Sequence, residues 1–121
     1  MDLDERRHGE VVILQPRVRR LEASNAQALT NELIDRISQG KNSLVLDLND
    51  VDFMDSSALA SLLSAVKSLG TKGRMALFGI SSKVRKLFSI TRLDNVVFIL
   101  ADSEEEAVRS VQGASGLNER L

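Results

Sequence analysis

The sequence has no cysteine, no tryptophan and no tyrosine, and it has only one proline and one histidine. The absence of cysteine excludes disulfides, thiolate metal ligands and cysteine nucleophiles, and it is compatible with a reducing compartment. A single histidine without cysteine argues against a zinc site. Because the only aromatic residues are four phenylalanines, the core must be built from leucine, valine and isoleucine.

The chain also lacks a surplus of charge of one sign, and it lacks long hydrophobic runs. Its 121 residues include 16 basic and 17 acidic side chains, which give a net charge of −1. A general nucleic-acid binder needs a basic surplus to engage phosphates. No apolar run approaches the roughly 18 residues that span a bilayer, and the opening MDLDERRHGE has no signal-peptide core. We expect a single cytoplasmic domain with no nucleic-acid partner and no membrane partner.

Sequence patterns for catalysis and cofactor binding are weak. The segment GKNS at residues 40–43 lacks the upstream glycine of a phosphate-binding loop. His8 is the only imidazole and lies in a polar segment, so an exposed strand position is favoured over a place in a Ser-His-Asp triad. The chain is therefore expected to have no catalytic residues and no cofactor, and not to be an enzyme.

The spacing of apolar residues predicts strands and helices that alternate along the chain. The predicted strands span residues 3–8, 10–18, 43–48, 74–78 and 96–100. The predicted helices begin at residues 24, 56, 81 and 103. Two opening strands followed by this alternation imply one α/β domain, with a mixed sheet of four to five strands and about four helices packed against it. The N-terminal pair of strands is expected to form an antiparallel edge.

Local signals set the boundaries of these elements. Ser24 is followed three residues later by Gln27, which is the spacing of a capping box at the start of the first helix. Residues 50–54 are interpreted as a connector between the central strand and the second helix. The domain is expected to span residues 1–112, and residues 113–121 (GASGLNERL) are expected to form a disordered tail.

Four aspartates cluster after the central strand. They are Asp47, Asp50, Asp52 and Asp55. These carboxylates could bind a divalent cation, but their spacing is not that of an EF-hand, which needs a glycine and a glutamate at fixed positions. Aspartate is also common in turns and at helix N termini. The turn and helix-start interpretation is favoured, and no metal site is expected.

The most informative segment is VDFMDSSALASLL, at residues 51–63. A strand leads through a short polar turn into a helix, so Ser56 or Ser57 lies at the helix start and at the carboxyl end of the sheet. The first N–H groups of a helix lack partners within it, and together with the helix dipole they favour a phosphate. Phosphorylation would add about −1.5 to −2 charges beside Asp55. Such a change would repel an acidic partner and act as an electrostatic switch.

A serine at a helix start also has a simpler interpretation. Serine is among the commonest N-cap residues, where it contributes about 1 kcal/mol of stability without any further role. On position alone, a capping role for Ser56 is favoured over a switch.

The segment FMDSSALASLL resembles the signature of the STAS family of bacterial anti-sigma-factor antagonists, in which an Asp-Ser-Ser/Thr-Gly-Leu stretch opens a helix. RLEASNAQAL resembles the family's Gly-Glu-Leu-Asp segment before the first helix. ISSKVRKLFSITRLDNVVFI resembles the stretch that leads into the last strand, and SEEEAVRSV resembles the closing helix. The resemblance covers roughly residues 3–112, nearly the whole domain.

The resemblance implies a regulatory protein that changes partners on phosphorylation. In the family, a serine kinase, often the anti-sigma factor itself, phosphorylates the serine after the aspartate, and a PP2C-type phosphatase removes the phosphate. The unphosphorylated antagonist binds the anti-sigma factor and frees the sigma factor. Carried over to this sequence, the phosphoacceptor is Ser56. The residues implied in partner binding are Glu22, Asp55, Ser57, Ala58 and Leu59.

The sequence departs from the family pattern near the implied docking surface. Ala58 replaces the glycine of the motif, which suits a helix but adds a methyl group. Arg19 and Arg20 stand where the family often has Gly-Glu, and Glu22 stands in place of aspartate. A basic pair in place of glycine and an acid changes the surface that is offered to a partner.

STAS-like accessory subunits of ABC-type transporters resemble this fold as well. A subunit of that kind, which is not phosphorylated, is the alternative function. The intact Asp55-Ser56-Ser57 segment favours the anti-sigma factor antagonist.

Overall fold

The computed structural model describes residues 1–71, 73–91 and 98–112, which form seven strands and four helices. The strands are β1 (Leu3–His8), β2 (Val11–Pro16), β3 (Arg20–Leu21), β4 (Ser43–Asp47), β5 (Phe53–Met54), β6 (Arg74–Phe78) and β7 (Ile99–Leu100). The helices are α1 (Ala23–Ser38), α2 (Ser56–Leu69), α3 (Ser82–Ile90) and α4 (Glu104–Val111). Each predicted strand and helix is found over at least part of its predicted span, and residues 96 and 97 of the last strand lie outside the described part of the chain.

The main sheet has five strands in the order β1-β2-β4-β6-β7. β1 runs antiparallel to β2, and the other neighbouring strands are parallel. The predicted mixed sheet with an antiparallel N-terminal edge is therefore confirmed. β3 and β5 form a separate parallel ladder of two residues each. The interpretation of residues 50–54 as a plain connector is wrong for Phe53 and Met54, because a two-residue strand is too short to produce a periodic pattern.

Helices cover both faces of the main sheet. Val12 and Leu14 of β2 point to the face that carries α1, α2 and α3, whereas Val11 and Ile13 pack against α4 on the other face. β4 is buried along its whole length. A strand covered on both faces reads as a continuous apolar run, which explains the pattern of SLVLD.

Two consecutive side chains of the edge strand β1 form ion pairs with helices, one on each face of the sheet. Glu5 accepts hydrogen bonds from the guanidinium group of Arg36 in α1, at 2.8 and 3.1 Å. The hydrogen bond from Arg36 holds the pKa of Glu5 below its usual range, although burial acts in the opposite direction. The neighbouring Arg6 points to the other face and contacts Asp47 at 3.0 Å and Glu104 of α4 at 2.6 Å.

Helix α1 begins earlier than predicted. The predicted capping box of Ser24 and Gln27 is wrong, because the helix starts at Ala23 and its N-cap is Glu22, whose backbone is extended. The backbone N–H of Glu22 donates to Oδ1 of Asn25 at 3.0 Å. The β3–β5 pairing ends directly before Glu22, so the chain enters the helix at once. Capping residues alone do not show where that pairing ends.

No helix among residues 1–71, 73–91 and 98–112 combines the length and the apolar composition that a membrane crossing requires. Residues 113–121, which are predicted to form a disordered tail, lie outside the described residues.

Candidate functional site

The β3–β5 ladder brings the start of α1 next to the start of α2. Arg20 lies opposite Phe53, and Leu21 lies opposite Met54, in parallel register. The backbone N–H of Asp55 donates to the carbonyl oxygen of Leu21 at 3.2 Å, so the pairing reaches the last residue before α2. Each short strand is followed directly by its helix, with α1 after β3 and α2 after β5. The two helix N termini therefore lie side by side and define the candidate site.

Asp55 is the capping residue of α2. Its Oδ1 accepts a hydrogen bond from the backbone N–H of Ala58 at 2.9 Å, and its carbonyl oxygen accepts one from Leu59 at 3.1 Å. Its backbone is extended, with φ −99° and ψ 176°, as is typical of an N-cap. The interpretation of Ser56 as the capping residue is therefore wrong, because Ser56 is the first residue of the helix itself.

Ser56 and Ser57 present hydroxyl groups at the surface. Both residues are exposed, and neither hydroxyl forms a hydrogen bond with any residue in the described part of the chain. The first N–H groups of a helix have no acceptor within it, and the Asp55 side chain takes only that of Ala58. A negative group attached to Ser56 would therefore lie at the favourable end of the helix dipole.

Two of the predicted partner-binding side chains are not at the surface. Ala58 is 1% exposed and Leu59 is 3% exposed, and both belong to the core between the sheet and the helices. They lie on the inward face of the first turn of α2, and their part in partner binding stays a prediction. A motif that is read along the chain does not separate the inward positions of a helical turn from the outward ones.

Glu22 lies beside the start of α2. It follows the Leu21–Met54 pair on one strand, as Asp55 does on the other, and it is the N-cap residue of α1. Its carboxylate is partly exposed, and Oε1 is 3.4 Å from Nε of Arg20. The structure thus places Glu22, Asp55 and Ser57 on one surface around Ser56.

Two arginines flank this surface. The guanidinium group of Arg20 lies 4.1 Å from the centre of the Phe53 ring, which is a cation–π contact. Arg19 donates two hydrogen bonds to Oδ2 of Asp52, at 2.7 and 3.0 Å. The sequence marks both arginines as departures from the family pattern. Their contacts depend on the β3–β5 register, which two-residue strands do not reveal.

Three of the four clustered aspartates are paired with arginines, and the fourth, Asp55, caps α2. The ion pairs are Asp47–Arg6, Asp50–Arg17 and Asp52–Arg19. Over the residues that the structure describes, no group of three or more acidic, histidine or cysteine side chains is arranged to hold a metal ion. His8 is exposed at the end of β1, which confirms its predicted position.

The division of roles between Asp55 and Ser56 can be tested by stability measurements. We expect Asp55→Ala to lower the free energy of unfolding by about 1 kcal/mol, because it removes the cap of α2. We expect Ser56→Ala to change it by less than about 0.5 kcal/mol, because the hydroxyl has no partner and alanine is a good helix former. Denaturant unfolding of both variants measures the difference. An equal loss in both would show that Ser56 supports the helix start.

The chain is similar in sequence to known proteins. The STAS domain family model matches residues 3–107. A protein of Thermotoga neapolitana, named as a candidate anti-sigma factor antagonist, is 35% identical over 106 residues, which cover 86% of this chain and 92% of the relative.

Solved structures show the same fold. A candidate anti-sigma factor antagonist from Thermotoga maritima has a TM-score of 0.82 and 31% identity, and the match covers 91% of this chain and 94% of that chain. The anti-sigma factor antagonist SpoIIAA in its unphosphorylated form has a TM-score of 0.69 and 23% identity, with coverage of 93% and 99%. Its phosphorylated form, from Bacillus, has a TM-score of 0.67. At this identity SpoIIAA supports the fold alone. The match of the family model over most of the sequence and the Thermotoga relatives above 30% identity establish that this chain belongs to the STAS domain family.

Proposed function

We propose that this protein is an anti-sigma factor antagonist that works by partner switching in the cytoplasm. Its unphosphorylated form binds an anti-sigma factor or serine kinase, and phosphorylation of Ser56 releases that partner. A PP2C-type phosphatase restores the binding form. The protein acts through binding and not through catalysis.

The free hydroxyl of Ser56 is the observation that carries this proposal. The residue is exposed at the first position of α2, where a kinase can reach it. The helix does not depend on this hydroxyl, because the cap is supplied by Asp55. The relatives support the same role, since the Thermotoga neapolitana protein is named as a candidate anti-sigma factor antagonist. The more distant antagonist SpoIIAA has been solved in both phosphorylation states.

The charges around Ser56 explain how a phosphate acts as a switch. Three carboxylates and two guanidinium groups lie at the paired helix starts, so the unmodified surface is close to neutral. They belong to Glu22, Asp52, Asp55, Arg19 and Arg20. Phosphorylation adds about −1.5 to −2 charges at pH 7. The surface then becomes strongly acidic at the point where a partner docks, and like charges across an interface are unfavourable by several kcal/mol.

Mapping of the phosphorylated residue tests the proposal. The protein is isolated from its native cells in the presence of phosphatase inhibitors, and the modified peptide is identified by mass spectrometry. We expect one phosphate on Ser56, its loss in Ser56→Ala and its retention in Ser57→Ala. Ser57 is the matched control because it is also exposed and is adjacent.

Other outcomes of this mapping would reject the proposal. A phosphate on Ser57 or elsewhere, or no phosphate under conditions in which the partner is released, would contradict a switch at Ser56. Co-purification with an ABC-type ATPase, together with an unmodified Ser56, would favour the accessory subunit of a transporter instead.

A further inference from the structure

A groove lies between β5 and α3, next to the start of α2. It has a volume of about 280 Å³ and is lined by Phe53, Met54, Lys83, Lys86, Leu87 and Ile90. Ile90 is 70% exposed, and among the described residues the only other exposed large apolar side chain is that of Met1. Single exposed aliphatic side chains are common. Here, however, Ile90 and Leu87 border a concave surface whose opposite apolar wall, Phe53 and Met54, belongs to the segment that leads directly to Ser56.

The rim of the groove is basic. Helix α3 has the sequence SKVRKLFSI, with three basic residues and no acidic residue. Arg85 is 3.8 Å from Asp102, but neither Lys83 nor Lys86 forms a salt bridge with another described residue. The guanidinium group of Arg20, stacked on Phe53, adds positive charge next to the apolar floor.

The positions of these residues on α3 give the groove its form. Four residues of α3 follow one another at spacings of three, one and three residues, which places them on one face of the helix. They are Lys83, Lys86, Leu87 and Ile90. Val84 and Phe88 lie on the opposite face and are buried in the core. The groove is therefore an amphipathic strip that runs along α3, which has nine residues and a length of roughly 13 Å.

We propose that this groove, bounded by Phe53, Leu87, Ile90 and the lysines at 83 and 86, binds an acidic amphipathic helix of the protein partner. Apolar side chains at helical spacing fit the floor, and carboxylates beside them pair with the two lysines. The inference deepens the proposed function and rests on it for the identity of the partner. The groove borders the Ser56 surface, so a phosphate on Ser56 would lie next to the carboxylates of the bound helix and repel them.

A synthetic peptide tests the chemistry of the groove without the partner. The probe is a peptide of about 14 residues, roughly 21 Å long as a helix, with leucine at helical spacing and glutamate between. We expect it to shift the backbone NMR signals of Phe53, Leu87 and Ile90. The same peptide with lysine in place of glutamate is expected to bind at least tenfold more weakly. Added salt is expected to weaken the binding of the acidic peptide.

Variants of the groove and a matched control complete the test. Ile90→Asp and the double variant Lys83→Glu/Lys86→Glu are each expected to raise the Kd of the acidic peptide at least tenfold. All three positions are exposed, and circular dichroism is expected to show unchanged folding. Lys67→Glu makes one such charge reversal at an exposed position of α2 outside the groove, and it is expected to change the Kd less than twofold.

Several results would overturn the inference. They are equal binding of the basic peptide, no shift at millimolar acidic peptide, and binding that Ile90→Asp leaves intact. A dimer that Ile90→Asp dissociates would assign the groove to a second copy of the chain, and binding to phosphatidylserine vesicles without peptide binding would assign it to lipid. If peptide binding fails while Ser56 is still phosphorylated in cells, the groove is rejected and the proposed function remains. If the peptide binds but Ser56 is not phosphorylated in cells, the proposed function is rejected and the groove remains a binding site.

Discussion

Replacement of Arg6 with methionine is expected to lower the free energy of unfolding by about 2–3 kcal/mol. Arg6 donates to Asp47 at 3.0 Å, to Glu104 at 2.6 Å and to Gln15 at 2.9 Å. The Asp47 side chain is only 6% exposed, so its carboxylate would be left with Asn49 as its only donor among the described residues. Loss of one partner of a buried ion pair is unfavourable by about 3–5 kcal/mol. We expect less here because Arg6 itself is 36% exposed and partly screened by solvent.

Thermal or denaturant unfolding measures this loss, and two variants serve as controls. Arg7→Met changes the neighbouring residue, which is 53% exposed and, among the described residues, pairs with Glu5 alone, so we expect a loss of at most about 0.5 kcal/mol. Addition of Asp47→Asn to Arg6→Met removes the stranded charge and is expected to restore much of the stability. If Arg6→Met and Arg7→Met were equally stable, the contacts of Arg6 with β4 and α4 would not support the fold.

The main sheet and its helices could be predicted because their signals are long and local. Strand β2 and helix α2 each bury a regular set of apolar side chains, and that burial produces the spacing from which they were predicted. Both glycines that follow the first two helices, Gly40 and Gly70, have positive φ angles, which is the conformation that a glycine stop permits. Where the pattern spans several residues of one helix or strand, the sequence is sufficient to predict that element.

The errors arise where a few residues pair across the chain. β3 and β5 contribute two residues each, and they decide where α1 begins, so capping residues alone predict the N-cap at Ser24 instead of Glu22. The motif predicts the candidate site at Ser56, which is exposed, and the phosphorylation of Ser56 stays a prediction. The motif did not separate Ser57, which is exposed, from Ala58 and Leu59, which are buried. That distinction depends on which side of the helical turn meets the sheet.

The groove beside α3 illustrates a further limit of sequence analysis. Leu87 is half-buried, because its side chain packs against the core and also lines the groove with Ile90. The opposing wall comes from Phe53, more than thirty residues earlier in the chain. A surface that is assembled from two distant segments has no signature in either segment alone.

Phosphorylation of Ser56 is expected to weaken the complex with the anti-sigma factor partner about 100-fold, which is about 2.7 kcal/mol. A phosphate adds a near-dianion beside Asp55 on a surface that is close to neutral without it. Ser56→Asp adds a single negative charge and is expected to weaken the complex roughly tenfold, whereas Ser56→Ala is expected to bind like the unmodified protein. Titration calorimetry with each form measures the Kd.

The position of the charge, rather than its presence alone, is what the switch requires. Ser64→Asp adds the same charge at an exposed position of α2, eight residues further on and roughly 12 Å away along the helix. We expect this variant to change the Kd less than threefold, because the Debye length is about 10 Å at 0.1 M salt. Higher salt is expected to reduce the effect of Ser56→Asp for the same reason. Equal weakening by both aspartates, or an effect that salt does not reduce, would indicate that release does not depend on repulsion at the start of α2.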